Sequence, residues 1–318
     1  MQNTRSNHIK FSAYMYVFRG NDYQLPYIEA LKSVLWCDEV RVATDTRFED
    51  GTIENLRDFA KENRNVVLYE KEFDFDAPNP HGKIKQELRQ SCTGDWLIEL
   101  DADEYFSQPQ IEPIKDLCAH STPNVNLITV RTLNFFNGNW INKSHPEFRP
   151  LVSRNLKALV HDVGSVNIHG RWGAAYLTSK GMKMSPNFQY DEPVIYHYGW
   201  YSLPRKWEMR QTLHYYDGKI QGKYKVLDDY THNLDNEEVD FWDLPWVLPV
   251  EHYTGQIYSE MSRGYSHKFL ERYRKKHPPE MIEWIENSRT LDWSPDALAG
   301  VTDFFSNMFK KKVESEPA

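Results

Sequence analysis

The feature that most constrains the fold is an alternation of short apolar runs and amphipathic stretches in the N-terminal third. Each apolar run has strand composition, and each amphipathic stretch repeats its apolar residues at helical spacing. The strand-like runs are residues 11–18, 39–44, 65–70 and 96–100, and the helix-like stretches are residues 25–36, 50–63 and 82–94. This alternation predicts an α/β fold with a mostly parallel sheet flanked by helices.

Acidic residues gather where two of these strands end. Asp101, Asp103 and Glu104 follow the apolar run 96–100, and Asp45 ends the second strand. Because parallel sheets bind ligands beyond the carboxyl ends of their strands, the topology brings these acids to one edge. A buried unpaired carboxylate is costly, so we expect the cluster to hold a cation or to lie at a solvent-open site.

The pattern changes after this first third. Strand-like segments occupy residues 126–136, 148–154 and 194–201, and helix-like segments rich in aromatic residues occupy 203–220, 265–276 and 278–288. We therefore expect an α/β domain over residues 8–200 and a mainly helical C-terminal extension over residues 201–318. The aromatic stretch 241–253 either walls an acceptor site or, as we favour, packs the extension against the sheet.

Charge and composition exclude several classes of protein. The net charge of −8 disfavours sequence-blind binding to nucleic acid, which needs a basic face. Cys37, Cys92 and Cys118 have no CxxC spacing, which disfavours a disulfide framework or a zinc knuckle and fits a reducing compartment. No apolar run is long enough for a signal peptide or a membrane span. We expect a cytoplasmic protein without stable membrane insertion, any membrane contact being peripheral at the inner face.

An ordered series of motifs resembles the family-2 (GT-A fold) glycosyltransferases. The matching residues are Asp38-Glu39-Val40, Asp45, Asp50-Gly51-Thr52, Gly94-Asp95-Trp96 and Leu100-Asp101-Ala102-Asp103-Glu104. The similarity covers the N-terminal third well, continues thinly through residues 148–154 and 194–201, and then fades. It implies a GT-A catalytic domain over residues 8–200 with a nucleotide-sugar-binding sheet, followed by an extension that contributes to acceptor binding.

The resemblance also implies an activity. Such an enzyme moves a hexose-type sugar from a nucleotide-diphosphate sugar to a hydroxyl acceptor, with inversion in most of the family. The acceptor is a glycan, a glycolipid, a protein or a modified nucleic-acid base. Mn²⁺ or Mg²⁺ would stabilise the charge that develops on the departing diphosphate, and hard oxygen ligands suit both ions.

Particular residues take roles by the same resemblance. The implied metal ligands are Asp103, Asp101 (directly, through water, or instead as a contact to the donor ribose) and His197, which ends an apolar strand. The implied donor-binding residues are Phe18, Asp45, Lys85, Asp101 and Ala102. Asp45 has the alternative role of capping the loop that follows it, and Lys85 that of a solvated helix residue, with Lys83 competing for the diphosphate.

The catalytic base is left open between several acids. An inverting transfer needs a carboxylate near the acceptor hydroxyl to take its proton. Asp162 is ranked first, since His161-Asp162 stands where the related branch usually has a His-Glu pair. Asp191 and Glu192 are its rivals. Arg149 or Arg154 could support the site, although a salt bridge at the strand edge is the default for either.

Other classes of protein fit these residues less well. A haloacid-dehalogenase-type phosphatase, with Asp101 as nucleophile, carries its DxD pair at the start of the domain, whereas three β–α units precede it here. A nucleotidyltransferase needs a glycine- and lysine-rich loop, and residues 18–26 offer one glycine and no lysine. A nucleotidyltransferase and a catalytically inactive sugar- or nucleotide-binding protein on the same fold are kept as alternatives.

Overall fold

The computed structural model describes most of the N-terminal two thirds of the chain and a short C-terminal segment. The described residues are 9–73, 80–136, 138–143, 148–157, 159–161, 177–179, 187–202, 270–288 and 290. The chain divides into two compact units. The first unit consists of Met1–Leu133, Phe148–Tyr198 and His277–Glu286, and the second of Asn134–Glu147, Gly199–Lys276 and Asn287–Ala318.

Four parallel strands in the order β3-β2-β1-β4 form the centre of the first unit. Their bounds are β1 Phe11–Val17, β2 Glu39–Asp45, β3 Val66–Lys71 and β4 Trp96–Glu99. The helices between them are α1 Tyr27–Ser33, α2 Thr52–Glu62 and α3 Pro80–Ser91. The predicted α/β fold with a largely parallel central sheet is confirmed.

Antiparallel strands extend this sheet beyond β4. They are β5 Glu104–Phe106, β6 Leu127–Phe136, β8 Phe148–Arg154 and β11 Asn187–Trp200. Strand β8 pairs with β4 and β6, and β11 pairs with β5 and β6. A 3₁₀ turn (Gln108–Gln110), helix α4 (Ile111–His120) and a separate two-stranded sheet of β9 (Leu159–His161) and β10 (Leu177–Ser179) complete the described elements of this unit, apart from its C-terminal segment.

The core of the first unit explains why its strands can be found from the sequence. Residues of β1 and β4 are almost all buried, as expected for parallel strands that are covered on both faces. Helix α2 buries Ile53, Leu56 and Phe59 at helical spacing. The apolar periodicity therefore reports real burial on both kinds of element.

The second unit contains the end of β6, together with β7 (Trp140–Asn142) and β12 (Leu270–Arg272). Phe135 packs edge-on against Tyr201 and Tyr273 there. The helix predicted over residues 265–276 is wrong at β12, because these residues pair antiparallel with β7 and this pairing overrides local helix propensity.

The described C-terminal segment also tests a second helical prediction. The helix predicted over 278–288 is confirmed by a 3₁₀ turn at Pro279–Met281 and helix α5 at Ile282–Asn287. The predicted helix over 203–220 and the stretch 241–253 lie outside the described residues, so the proposed boundary near residue 200 stays a prediction. Among the described residues, no helix is both long and apolar enough to cross a membrane.

Candidate functional site

The sheet topology marks where a ligand should bind. The chain adds β2 and β3 on one side of β1 and then places β4 on the other side. Open α/β sheets bind ligands beyond the carboxyl ends of their strands at such a reversal of strand order. Strand β4 ends at Glu99, and Asp101-Ala102-Asp103 follows within two residues. The acids identified in the sequence therefore lie at the reversal.

Two cations from distant elements meet these acids. The Lys85 Nζ of α3 lies 2.6 Å from Glu99 Oε1 and 2.7 Å from Asp101 Oδ1. The Arg149 guanidinium of β8 lies 3.2 Å from Asp101 Oδ2 and also contacts Glu104 Oε1. We call Glu99, Lys85, Asp101, Arg149 and Glu104 the ion-pair chain, since negative and positive groups alternate along it.

The pKa shifts show that the members of the ion-pair chain stabilise one another's charge. Burial opposes ionisation of Asp101, but Lys85 and Arg149 outweigh it and lower the pKa of that carboxyl. Burial likewise opposes the charge on Lys85, but Asp101 and Glu99 outweigh it and raise the pKa of the ammonium group. The pKa of Glu99 is lowered in the same way, against its burial and chiefly by Lys85. These groups are therefore charged at neutral pH.

Asp103 has a different neighbour. Strand β11 pairs antiparallel with β5 and places His197 opposite Glu104. The His197 Nε2 lies 3.6 Å from Asp103 Oδ1, and the Tyr198 N–H donates a 2.8 Å hydrogen bond to the Asp103 carbonyl. Strand pairing thus brings His197, more than ninety residues away in sequence, to the DxD pair, as the resemblance implied.

Sequence reasoning missed a buried polar group behind the ion-pair chain. The Tyr14 hydroxyl lies 2.8 Å from His161 Nε2 and donates a 3.3 Å hydrogen bond to Glu99 Oε2. The His161 side chain is fully buried, and its backbone N–H donates to Gln86 Oε1 at 2.8 Å. A glutamate inside the apolar strand β4 was the available signal, because buried carboxylates need partners.

The structure engages Asp45 within its own loop. Its two oxygens accept hydrogen bonds from the Arg47 backbone N–H and guanidinium and from the Phe73 N–H, at 2.6–3.1 Å. A carboxylate offers about four lone-pair sites, so these contacts occupy its accepting capacity. The alternative role as a loop cap is therefore present. Its contact with a donor nucleotide stays a prediction.

Of the other predicted donor-binding residues, Phe18, Lys85 and Ala102 are buried, whereas Asp101 is partly exposed. Phe18 packs edge-on against Phe48, with ring centroids 4.9 Å apart. Ala102 lies between the two aspartates and is 8% exposed. Lys85 is 7% exposed, so the alternative of a solvated helix residue is wrong. The contacts of these residues with a donor stay predictions.

Of the three candidate bases, the structure describes Asp191 and Glu192. Asp162 lies outside the described residues. Asp191 is exposed on β11 and accepts a 3.0 Å hydrogen bond from Gln189. It precedes His197 by six residues on one strand, which at a strand's rise per residue is a separation of about 20 Å. The structure therefore does not bring Asp191, or the exposed Glu192 beside it, to the acids.

Several residues of the motif series lie at the opposite, amino edge of the sheet. The Asp38 and Asp95 carboxylates accept hydrogen bonds from the backbone N–H groups of Phe11 (2.8 Å) and Lys10 (2.9 Å). The Ser12 hydroxyl donates to Glu39 at 2.5 Å. We call Asp38, Glu39 and Asp95 the amino-edge acids, and their role in the structure is to hold neighbouring strands together.

The cluster at the carboxyl edge fits a divalent cation by charge and donor type. Glu99, Asp101, Asp103 and Glu104 outnumber Lys85 and Arg149, which leaves an excess of two negative charges when the histidines are neutral. Asp101 and Glu104 contact the two cations, and Asp103 and His197 place an oxygen and a nitrogen donor 3.6 Å apart. That pair suits Mn²⁺.

The number of ligands is also informative. In the part of the chain that the structure describes, no group of three or more His, Cys, Asp or Glu side chains is placed to hold a metal ion. Magnesium-type sites commonly use one or two protein groups and complete the coordination with substrate phosphates and water. An ion held by Asp103 and His197 would therefore need further ligands from a phosphate or from water.

Comparison with known proteins gives a loose likeness. No family model matches the sequence, and no curated protein matches it significantly. A crystal structure of S. aureus TarS 1–349 is 12% identical, with 82% of each chain covered and a TM-score of 0.42. The mannosyltransferase PcManGT from Pyrobaculum calidifontis, in complex with GDP-Man and Mn²⁺, is 11% identical, with 82% of this chain and 77% of that chain covered and a TM-score of 0.39.

A third solved structure shows an equally loose likeness to this chain. Glucosyl-3-phosphoglycerate synthase from Mycobacterium tuberculosis, in complex with Mn²⁺, UDP and glucosyl-3-phosphoglycerate, is 13% identical. The match covers 60% of this chain and 72% of that chain, with a TM-score of 0.34. At these identities and TM-scores the class of protein has to come from the residues of the site.

Proposed function

We propose that this protein is a metal-dependent GT-A glycosyltransferase that moves a hexose-type sugar from a nucleotide-diphosphate sugar to a hydroxyl acceptor with inversion. The observation that carries the proposal is the placement of Asp103 and His197, 3.6 Å apart, beside an ion-pair chain at the reversal of strand order. The motif series that resembles the family supports it from the sequence.

The protein groups divide the work at this site. Asp103, His197 and Asp101, the last directly or through water, would hold Mn²⁺ or Mg²⁺, and Asp101 would also orient the donor from the position that Lys85 and Arg149 give it. A bound divalent ion would supply positive charge against the diphosphate as the bond to the sugar breaks. Phe18, Asp45, Lys85 and Ala102 remain the proposed contacts to the rest of the donor.

Asp162 is the proposed base for the acceptor hydroxyl. His161, the residue before it in the sequence, is tied to the site by Tyr14 and Gln86. Asp191 is the weaker candidate, because it lies far along β11 from His197. A glycan, a glycolipid, a protein or a modified base can offer the hydroxyl that such a base would deprotonate.

Titration calorimetry with UDP and GDP, with and without Mn²⁺, tests the proposal. We expect the nucleotide to bind with micromolar affinity only when the ion is present, because the ion would link the diphosphate to the protein carboxylates. Slow release of free sugar from a panel of nucleotide sugars then separates an enzyme from a catalytically inactive binding protein. Equal binding with and without the ion, or no binding at all, would contradict the proposed function.

A further inference from the structure

Glu99 has no role in the proposed chemistry, yet it is one of the most constrained charges in the molecule. It is 5% exposed at the end of β4, between the apolar core and Asp101. One of its oxygens accepts the Lys85 ammonium at 2.6 Å, and the other accepts the Tyr14 hydroxyl at 3.3 Å. Removing water from a carboxylate is costly, so these contacts have to compensate for a substantial penalty.

These contacts of Glu99 also affect the position of Asp101. Lys85 is the only described group that touches both Glu99 and Asp101, with distances of 2.6 and 2.7 Å from one nitrogen. Since α3 carries Lys85 on a long flexible side chain, Glu99 limits where its ammonium can lie. Arg149 holds the other oxygen of Asp101 at 3.2 Å, so the carboxylate is fixed from two sides.

We propose that Glu99 is a positioning residue for the metal and donor site: it holds Lys85, and Lys85 holds Asp101 in the orientation that the donor meets. This inference rests on the proposed function and assigns Glu99 no contact with substrate. Partners of metal-ligating groups typically change metal affinity by about 10–100-fold when they are replaced, and Glu99, one contact further out through Lys85, should act at the lower end of this range.

The sign of two substitutions separates positioning from simple charge. If the cluster only supplied negative charge, Glu99→Gln would weaken Mn²⁺ binding and Lys85→Gln would strengthen it. If Glu99 acts by placing Lys85 and Asp101, both substitutions weaken binding, by about tenfold each. A direct contact of Lys85 with the diphosphate would also weaken binding in Lys85→Gln, so the double variant decides between the two explanations. It should bind about as well as the weaker single variant, because both changes break one chain of contacts, and losses that add would overturn the proposal.

The readout is Mn²⁺ affinity, measured from the electron paramagnetic resonance signal of free Mn²⁺ with UDP or GDP present, whichever the wild type binds. Thermal melts establish that each variant is folded at the temperature of the titration. Glu39→Gln is the matched control, since Glu39 is also a mostly buried, ion-paired carboxylate of the same sheet, with its partner Arg41 at 2.6 Å. It should leave Mn²⁺ affinity unchanged.

Stronger Mn²⁺ binding by Lys85→Gln, or unchanged binding by Glu99→Gln, overturns the proposal and leaves the proposed function intact. Absence of Mn²⁺ binding in the wild type would contradict both this proposal and the proposed function. If Glu99→Gln does not fold, Tyr14→Phe takes its place, because it removes one hydrogen bond to Glu99, together with the contact to His161, and leaves every charge. A twofold to threefold loss of affinity in Tyr14→Phe supports the proposal, and wild-type affinity contradicts it.

Discussion

The two edges of the parallel sheet both carry carboxylates but use them in opposite ways. At the amino edge, Asp38 and Asp95 accept backbone N–H groups from the segment that starts β1. At the carboxyl edge, Asp101 and Glu104 face the Lys85 and Arg149 cations. Asp38 and Asp95 thus accept neutral backbone donors, whereas Asp101 and Glu104 belong to a charged cluster with an excess of negative charge.

This difference shows that a carboxylate next to a strand can have either a structural or a ligand-binding role, depending on its partners. An acid that accepts a neutral backbone donor from a neighbouring strand helps to fix the path of the chain. An acid in a cluster with excess negative charge retains attraction for a cation after its protein partners are counted. Stability should therefore depend on the amino edge and ligand binding on the carboxyl edge.

Asp103→Ala should have the largest effect. Because groups outside the coordination shell already change metal affinity by about 10–100-fold, loss of a direct ligand should cost at least about 100-fold. The measurement is Mn²⁺-dependent binding of UDP or GDP by calorimetry. The melting temperature should not fall, since the substitution removes one charge of the excess. A variant that melts earlier and binds normally would reverse the assignment of the two edges.

Gly94→Ala should show the converse behaviour at the amino edge. A Cβ at Gly94 would lie 2.5 Å from Ser12 Oγ and 2.7 Å from the Ser12 backbone nitrogen, so β1 would have to shift. Overpacking of this kind costs about 1–3 kcal/mol of unfolding free energy, measurable by urea denaturation. Nucleotide affinity of the folded variant should equal that of the wild type, and a selective loss of affinity would contradict the comparison.

As the pH falls, the part of the first unit near the carboxyl edge of the sheet should lose stability before the acids of the ion-pair chain are protonated. Burial lowers the pKa of His277 to about 4, and its Nδ1 lies 3.0 Å from the Tyr198 hydroxyl of β11. Because the unfolded chain then binds more protons below the ordinary histidine pKa, stability should fall between pH 7 and pH 5, by about 1 kcal/mol once solvent screening of this partly buried ring is taken into account. Burial also lowers the pKa of His81, which adds to the slope.

The control for this pH dependence is His277→Asn, followed by urea unfolding at pH 7, 6 and 5. Its stability should fall less steeply than that of the wild type over this interval. Glu99 and Asp101 have lowered pKa values, so their contribution is present above the ordinary carboxyl pKa and is lost only in stronger acid. An unchanged slope in His277→Asn would assign the acid sensitivity to other groups.

Glu39→Gln should give the smallest effect. It replaces a carboxylate that accepts from Ser12 and pairs with Arg41 by an amide that keeps part of these contacts. The expected loss is about 1 kcal/mol of unfolding free energy, from urea denaturation. Loss of metal-dependent nucleotide binding in a folded Glu39→Gln variant would contradict the assignment of ligand binding to the carboxyl edge alone.

The sequence predicts the parallel half of the fold because its signal is local. The runs at β1 and β4 are buried on both faces, and α2 repeats its apolar residues at helical spacing. Strands β5 and β12 are three residues long, too short for alternation to show, and they exist through pairing with distant partners. Those partners are set by tertiary contacts.

The site follows the same rule. Asp101 and Asp103 could be predicted because they lie just beyond the end of an apolar strand, whereas His197, predicted to end its strand, lies inside β11, which continues to Trp200. The ion pairs that Lys85 and Arg149 make with Asp101 could not, since they depend on how α3 and β8 pack against β4. Position relative to a strand also separates the two edges: Asp38 and Asp95 precede their strands, whereas Asp101 and Asp103 follow theirs.

The most direct test of the account is a crystal of the protein soaked with Mn²⁺ and UDP or GDP, with anomalous data collected at the manganese edge. The account predicts one strong anomalous peak within bonding distance of Asp103 and His197, with a phosphate oxygen on the same ion and Asp101 still held by Lys85. Clear density for the nucleotide without manganese at Asp103, or manganese bound only elsewhere, would contradict it.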